Sequence, residues 1–239
     1  MKWYEKAAGN ISEGMKYTRR QLVSILQEET PMLKTGSYQW AVGEMLKNGY
    51  IVRVGFDEYM LSGVDIQPEY EPRYSELASE LLNVLEEKYS YSEFTIFETV
   101  LMNDFLNHLI AQNTVFVQFE KDLSIFAFRF LQETDFGHVL YKPSKRDFDL
   151  YWGADCIVIT DMRSEAPLSV RAPHSITMEK MLVDIYCDRL IRETYSKAEY
   201  PSVMEHALRT YKVEKTKLLR YAGRRNKAEE IERIISELT

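Results

Sequence analysis

Three aspartates raise the question of chemistry in this sequence. Asp147 and Asp149 lie in "KRDFDLYW", and Asp161 begins "DMR" directly after the apolar run "CIVIT". Two carboxylates two residues apart on a strand share a face and suit a divalent cation, which takes hard oxygen ligands. Nucleotidyl-transferring enzymes use such a pair behind a Gly-Ser turn, which this segment lacks. Asp149 with Asp161 instead has the spacing of metal-dependent nucleases, where a lysine two residues beyond the second acid accompanies metal activation of water. Residue 163 here is arginine, whose guanidinium keeps its proton and cannot serve as a base. The expected reading is a solvated acidic strand edge without catalysis. The alternative from a different class is a metal-dependent nuclease or nucleotidyl-transferring enzyme built on Asp147, Asp149 and Asp161. His108, His138, His174 and His206 are scattered, with no pair at metal-ligand spacing, and no Gly-rich phosphate loop or Gly-x-Ser-x-Gly elbow occurs. No metal or cofactor is expected.

The other candidate residues are basic, polar and aromatic. Arg19 and Arg20 open an apolar-periodic segment, where side-chain charge and helix N–H groups together suit a phosphate. Lys34, Thr35, Ser37, Gln39, Trp40 and Lys47 cluster in "KTGSYQWAVGEMLK", and Arg53 lies in the strand-like run that follows. A second basic stretch, "RTYKVEKTKLLRYAGRRNK" at 209–227, carries eight Lys/Arg and one acid, Glu214. Its Lys215, Lys217, Arg220, Arg224 and Arg225 alternate with Leu218, Leu219 and Tyr221 at helical spacing, as expected of a packed helix with a basic outer face.

The first of these groups needs a scaffold of helices and a hairpin. Thr18 three residues before Gln21 is a capping-box pattern, so a helix begins at "RRQLVSILQEE". Pro31 predicts a short helix, "PMLKT", stopped by Gly36. Ser37 then caps a third helix, "YQWAVGEMLKN", in which Tyr38, Ala41, Val42, Met45 and Leu46 form the apolar face and Trp40 and Lys47 point away. Gly49 ends it, and "YIVRV" and "EYML" pair across "GFD" as a hairpin. Three helices and a hairpin predict a winged helix-turn-helix over residues 1–66.

"DIQPEYEPRY" is the expected junction, and residues 67–239 the second domain. A helix, "SELASELLNVLEEKY", leads into strand-like "EFTIFE", helical "TVLMNDFLNHLIAQ", strand-like "TVFVQFE", helical "KDLSIFAFRFLQET", and strand-like "GHVLYK" and "CIVIT". That alternation predicts an α/β layer with a partly parallel sheet. From about residue 177 the pattern is wholly helical, starting at "TMEKMLVDIYCDRL".

Charge is distributed unevenly over the 239 residues, whose net is −7. Residues 1–66 hold 8 Lys/Arg and 8 Asp/Glu; residues 67–176 hold 9 and 18; residues 177–239 hold 13 and 11. The acidity is central, which leaves both flanks free to carry local basic surfaces. No apolar run approaches the roughly 18 residues of a membrane span. Without a signal-like apolar start, the chain is expected to stay in the cytoplasm, with Cys156 and Cys187 as buried thiols.

From "SYQWAVGEMLKNGYIVRVGFDEYML" through "DFDLYW" to "TMEKMLVDIYCDRL" and "KTKLLRYAGRR", the chain resembles the antitoxin-type regulators of type IV toxin–antitoxin systems, the abortive-infection AbiEi-like family. The resemblance covers most of residues 16–239. It implies a two-domain transcriptional regulator whose winged helix binds the double-stranded DNA of its own promoter. Its second domain would counteract a cognate nucleotidyltransferase-like toxin, without necessarily gripping it.

Overall fold

The computed structural model describes residues 3–12, 14–62 and 67–238. By internal packing the chain divides into two units, residues 1–69 with 208–212, and residues 70–207 with 213–239. The expected boundary at 66 falls outside the described residues.

The first unit contains helices α1 (Trp3–Ala8), α2 (Arg19–Glu29) and α3 (Thr35–Lys47) and an antiparallel hairpin of β1 (Ile51–Gly55) and β2 (Glu58–Leu61). The capping box forms: the Thr18 hydroxyl accepts from the Gln21 N–H, and the Gln21 side chain accepts from the Thr18 N–H at 2.8 Å. The expected helix at "PMLKT" does not. Residues 31–33 form a turn, and α3 starts at Thr35 and runs through Gly36 and Ser37, with Lys34 at its cap position. Tyr38 explains why a turn suffices: its hydroxyl donates to the Thr30 carbonyl (2.8 Å) and accepts from the Leu33 N–H (3.0 Å), pinning both sides of the turn to α3. The third helix of this unit is therefore α1, in a segment the sequence left unassigned. Its Tyr4, Ala7 and Ala8 join Leu22, Val23 and Leu26 of α2 and Tyr38, Ala41, Val42 and Met45 of α3 in one core.

Gly49 adopts φ +71° after α3, and Asp57 takes φ +54° at the two-residue hairpin turn. Tyr17 pairs with Tyr59 as an isolated antiparallel bridge beside the hairpin. The hairpin register shifts between Arg53 and Gly55, so Val54 has no strand partner. Its carbonyl accepts instead from the Tyr211 hydroxyl at 2.8 Å. The Lys212 N–H donates to the Pro68 carbonyl (3.0 Å) in the same unit.

The second unit is built on a four-stranded sheet of order β3-β4-β6-β5, comprising β3 (Phe94–Glu98), β4 (Thr114–Phe119), β5 (Val139–Tyr141) and β6 (Cys156–Asp161). β3 runs antiparallel to β4, and β4, β6 and β5 are mutually parallel. The predicted crossover helix after β3 is absent: residues 99–104 make a 3-10 turn and the rest is irregular. An antiparallel neighbour needs no crossover, and Leu101, Met102, Phe105 and Leu106 satisfy their apolar pattern by burial in that segment.

Strand alternation distributes the layers. Val115, Val117 and Phe119 of β4 share a core with Ala78, Leu81 and Leu85 of α4 (Glu76–Lys88) and Ala127 and Leu131 of α5 (Ser124–Gln132). The alternate residues meet other partners. Phe116 lies 6.4 Å, ring to ring, from Phe148 of α6 (Lys145–Tyr151), and Gln118 hydrogen-bonds Asp184 of α7 (Met178–Cys187). The chain continues as α8 (Arg189–Arg192), α9 (Tyr200–Thr210), α10 (Lys215–Arg224) and α11 (Ala228–Glu237), matching the expected helical C-terminal region.

Candidate nucleic-acid interface

The exposed side of α3 follows from helical arithmetic. Tyr38, Ala41, Val42 and Met45 are buried. At 100° per residue, Gly36, Trp40, Gly43 and Lys47 form the opposite stripe, with Gln39 at its edge. All five are exposed, and Trp40 keeps 54% of its surface while its ring makes an edge contact with Tyr4 at 5.9 Å. A Cβ added at Gly36 or Gly43 would meet nothing within 4 Å. Glycine inside a helix costs roughly 0.5–1 kcal/mol relative to alanine, and nothing in this unit packs against these two to require it. A smooth stripe of backbone flanked by polar and aromatic side chains admits close approach by another molecule.

The neighbouring candidates are tied to that stripe. Arg19 donates from Nε to Gln39 Oε1 (2.7 Å) and from a terminal nitrogen to the Gln39 carbonyl (3.2 Å), so one guanidinium bridges α2 and α3. The Arg19 N–H also donates to Asp57 Oδ1 (3.1 Å), fixing the start of α2 against the hairpin turn. Arg20 and Lys34 are exposed, Thr35 is the exposed first residue of α3, and Ser37 is half-buried within it. Arg53, half-buried on β1, donates to the Gly55 carbonyl (3.1 Å). Gly43, set by the helical spacing at the edge of the face opposite the apolar stripe, is exposed, and Phe56 at the hairpin tip, which the sequence does not single out, is 68% exposed.

The second basic stretch is arranged differently from its expected outer face. Leu218 and Tyr221 are buried and Leu219 is half-buried, as the spacing implies. Lys215 is exposed, whereas Lys217 pairs with Glu214 (2.7 Å), and Arg220 (3.5 Å) and Arg224 both reach Glu165. Arg225 is a correction: it turns inward, with 10% of its side chain exposed, and bonds Asp184 at 2.8 Å. Asp184 has a reason to recruit it. Its Oδ1 also accepts from the Tyr221 hydroxyl (2.8 Å), and its Oδ2 accepts from Lys180 Nζ (2.5 Å) and Gln118 Nε2 (3.3 Å). Lys180 is fully buried and donates to Gln118 as well. Burial pushes the Lys180 ammonium below its usual range despite the Asp184 charge. Arg225 lies at 4.0 Å from Asp188, whose pKa is raised by burial and by Asp184. This charge cluster joins β4, α7 and α10. Neighbouring Cys187 is half-buried rather than buried, its thiol pushed up to about 11 by burial.

A stability contrast follows. Arg220→Ala and Arg224→Ala each remove one exposed pair with Glu165 and should cost no more than about 1 kcal/mol. Arg225→Ala strips a cation from a buried carboxylate and should cost roughly 3 kcal/mol. Urea titrations of the three variants measure the gap.

The aspartates are not a strand pair. Ser144 caps α6 and makes a capping box with Asp147, whose carboxylate accepts from the Ser144 hydroxyl at 2.7 Å. A Ser-x-x-Asp cap in front of an apolar Phe148 turns this segment into helix, so Asp147 and Asp149 lie two residues apart on a helix surface and do not share a strand face. Asp149 pairs with Lys145 (3.6 Å). Asp161, at the end of β6, accepts from Lys142 Nζ (2.7 Å) and from the Ser124 hydroxyl (2.6 Å). Burial alone would raise the Asp161 carboxyl, but those two hydrogen bonds and the Lys142 charge hold it below the usual carboxylate range. Arg163 is exposed. Among the described residues no three His, Cys, Asp or Glu side chains converge as a metal site, and no helix is long and apolar enough to cross a membrane.

These features define a two-unit chain: a small helical unit closed by a hairpin, and a mixed α/β unit with a helical C-terminal region. Residues 37–239 match the model of DUF6577, a family of unknown function, and the chain belongs to that family. A search of curated proteins returned no match.

Proposed function

We propose that this protein is a DNA-binding transcriptional regulator whose first unit is a winged helix-turn-helix, with α3 as the recognition helix and the β1–β2 hairpin as the wing. The observation that carries the reading is the exposed stripe Gly36, Trp40, Gly43 and Lys47 on α3, edged by Gln39 and joined to Arg19. An α-helix with a smooth, polar-edged face fits the roughly 12 Å major groove. The order α1, the Tyr17 bridge, α2, α3 and hairpin supports the same reading. Lys47, Arg20, Lys34 and Arg53 then contact phosphates and set register, while Gln39 reads base edges.

The resemblance to AbiEi-like antitoxins supports a fuller proposal: the protein represses its own operon in the cytoplasm and counteracts a nucleotidyltransferase-like toxin, without catalysis or a cofactor of its own. Co-expression with the nucleotidyltransferase-like product of an adjacent gene tests that part. Failure to rescue growth removes the antitoxin role and leaves the regulator reading standing.

Anisotropy titrations of the protein against its own upstream DNA test the regulator reading. Lys47→Ala should weaken binding about equally on cognate and scrambled duplexes and reduce the slope of log K against log salt by roughly 0.9. Gln39→Ala should instead narrow the gap between the two duplexes, by about 1–3 kcal/mol. Absence of salt-sensitive duplex binding at any sequence would remove the regulator.

A further inference from the structure

Within the second unit, a shallow depression open to solvent, of about 570 Å³, is lined by Lys145, Arg146, Asp149 and Leu150 of α6 and by Arg189 at the start of α8. That volume lies within the range of small-molecule sites. Its charges do not cancel. Lys145 is engaged by Asp149 (3.6 Å) and Glu193 (3.2 Å). Arg146 and Arg189, both exposed, make no ion pair with any described residue. Two arginines, one from each helix, therefore line the same space without an ion pair among the described residues. Leu150 adds an apolar wall beside them and is 65% exposed, so its side chain is open to contact.

We propose that this depression binds an organic phosphate monoester, with the phosphate held between Arg146 and Arg189 and its organic group against Leu150. The charge arithmetic selects the ligand. A phosphate monoester brings about −1.5 to −2 charges and three acceptor oxygens at neutral pH. That matches two planar forks, each able to engage two oxygens. A carboxylate offers one charge and two oxygens, so it would leave one fork unfilled. Inorganic phosphate alone would leave Leu150 uncovered. The proposal does not depend on the DNA reading, because it uses a different unit and different residues.

Adenosine monophosphate is the probe, titrated calorimetrically into the full chain beside adenosine, inorganic phosphate and duplex DNA. Saturable binding of the monophosphate is expected, with adenosine much weaker. Arg146→Ala and Arg189→Ala should each lower its affinity about tenfold or more. Leu150→Ser should weaken the monophosphate and leave inorganic phosphate unchanged. Arg233→Ala, an exposed arginine on α11, serves as the control and should change neither. Thermal denaturation of each variant separates lost binding from lost folding, and the expected result is unchanged unfolding for all of these exposed substitutions. No saturable monophosphate binding up to about 1 mM, the weak end of specific affinity, overturns the proposal. So does binding that survives the Arg146→Ala, Arg189→Ala double variant. If that double variant loses duplex affinity while the monophosphate never binds, the arginines contact a nucleic-acid backbone and the pocket reading is wrong.

Discussion

Asp184→Ala should destabilise the second unit by roughly 3–5 kcal/mol, the range found when one partner of a buried ion pair is removed. The substitution leaves Lys180, which is fully buried, and Arg225 without the carboxylate that joins them. It also strips the Tyr221 hydroxyl and the Gln118 amide of their acceptor. Lys180→Met should cost markedly less, because Asp184 then keeps Arg225 and Tyr221 and only the best-buried charge is replaced by an apolar chain of similar length. For a unit of this size each kcal/mol shifts the melting temperature by about 2–4 °C, so Asp184→Ala should melt roughly 6–20 °C lower. Equal losses in the two variants, or the reverse order, would show that Asp184 is not the hub of the cluster.

Gly43→Glu should abolish specific duplex binding while leaving the first unit folded. The new side chain meets no heavy atom within 4 Å of its Cβ, and glutamate is a better helix former than glycine. Stability should therefore hold or rise by up to about 1 kcal/mol. If α3 lies against phosphates and base edges, a carboxylate in the middle of its open stripe places like charges together, a penalty of several kcal/mol, or roughly 100-fold or more in affinity. Circular dichroism melts and anisotropy titrations of one preparation measure both quantities. Unchanged duplex affinity would show that this face does not meet DNA.

Periodicity and capping chemistry made much of the architecture legible. The Thr18–Gln21 box, the apolar stripe of α3, the stop at Gly49 and the hairpin all act through residues adjacent in sequence, so their signals are local. Local signals also explain the errors. Proline after Thr30 permits a helix start equally well with a turn, and the choice was made by the Tyr38 hydroxyl from the next helix. Residues 99–112 have helical apolar spacing, yet an irregular segment can bury the same residues when the strand it leads to returns antiparallel. The six residues of α1 are too few to display a period. At the candidate sites, residue type announced charge but not direction. Lys180 and Asp184, four apart on a helix, have the spacing of a solvated pair, and Arg225 sits in a run of cations. Only the packing of α10 on α7 shows that all three are interior.

The first unit's membership of residues 208–212 has a consequence for the order in which the protein is made. A ribosome delivers α1, α2, α3 and the hairpin early, yet Tyr211, which caps the Val54 carbonyl, follows only after residues 70–207 have been translated. At about 5–20 residues per second that interval is on the order of ten seconds. During it the nascent hairpin keeps its bulged carbonyl hydrated and its last contacts unmade, so the segment translated first is among the last to be completed. A gene fragment ending near residue 69 would remain in that unfinished condition, and its stability would not stand for that of the same unit in the whole chain.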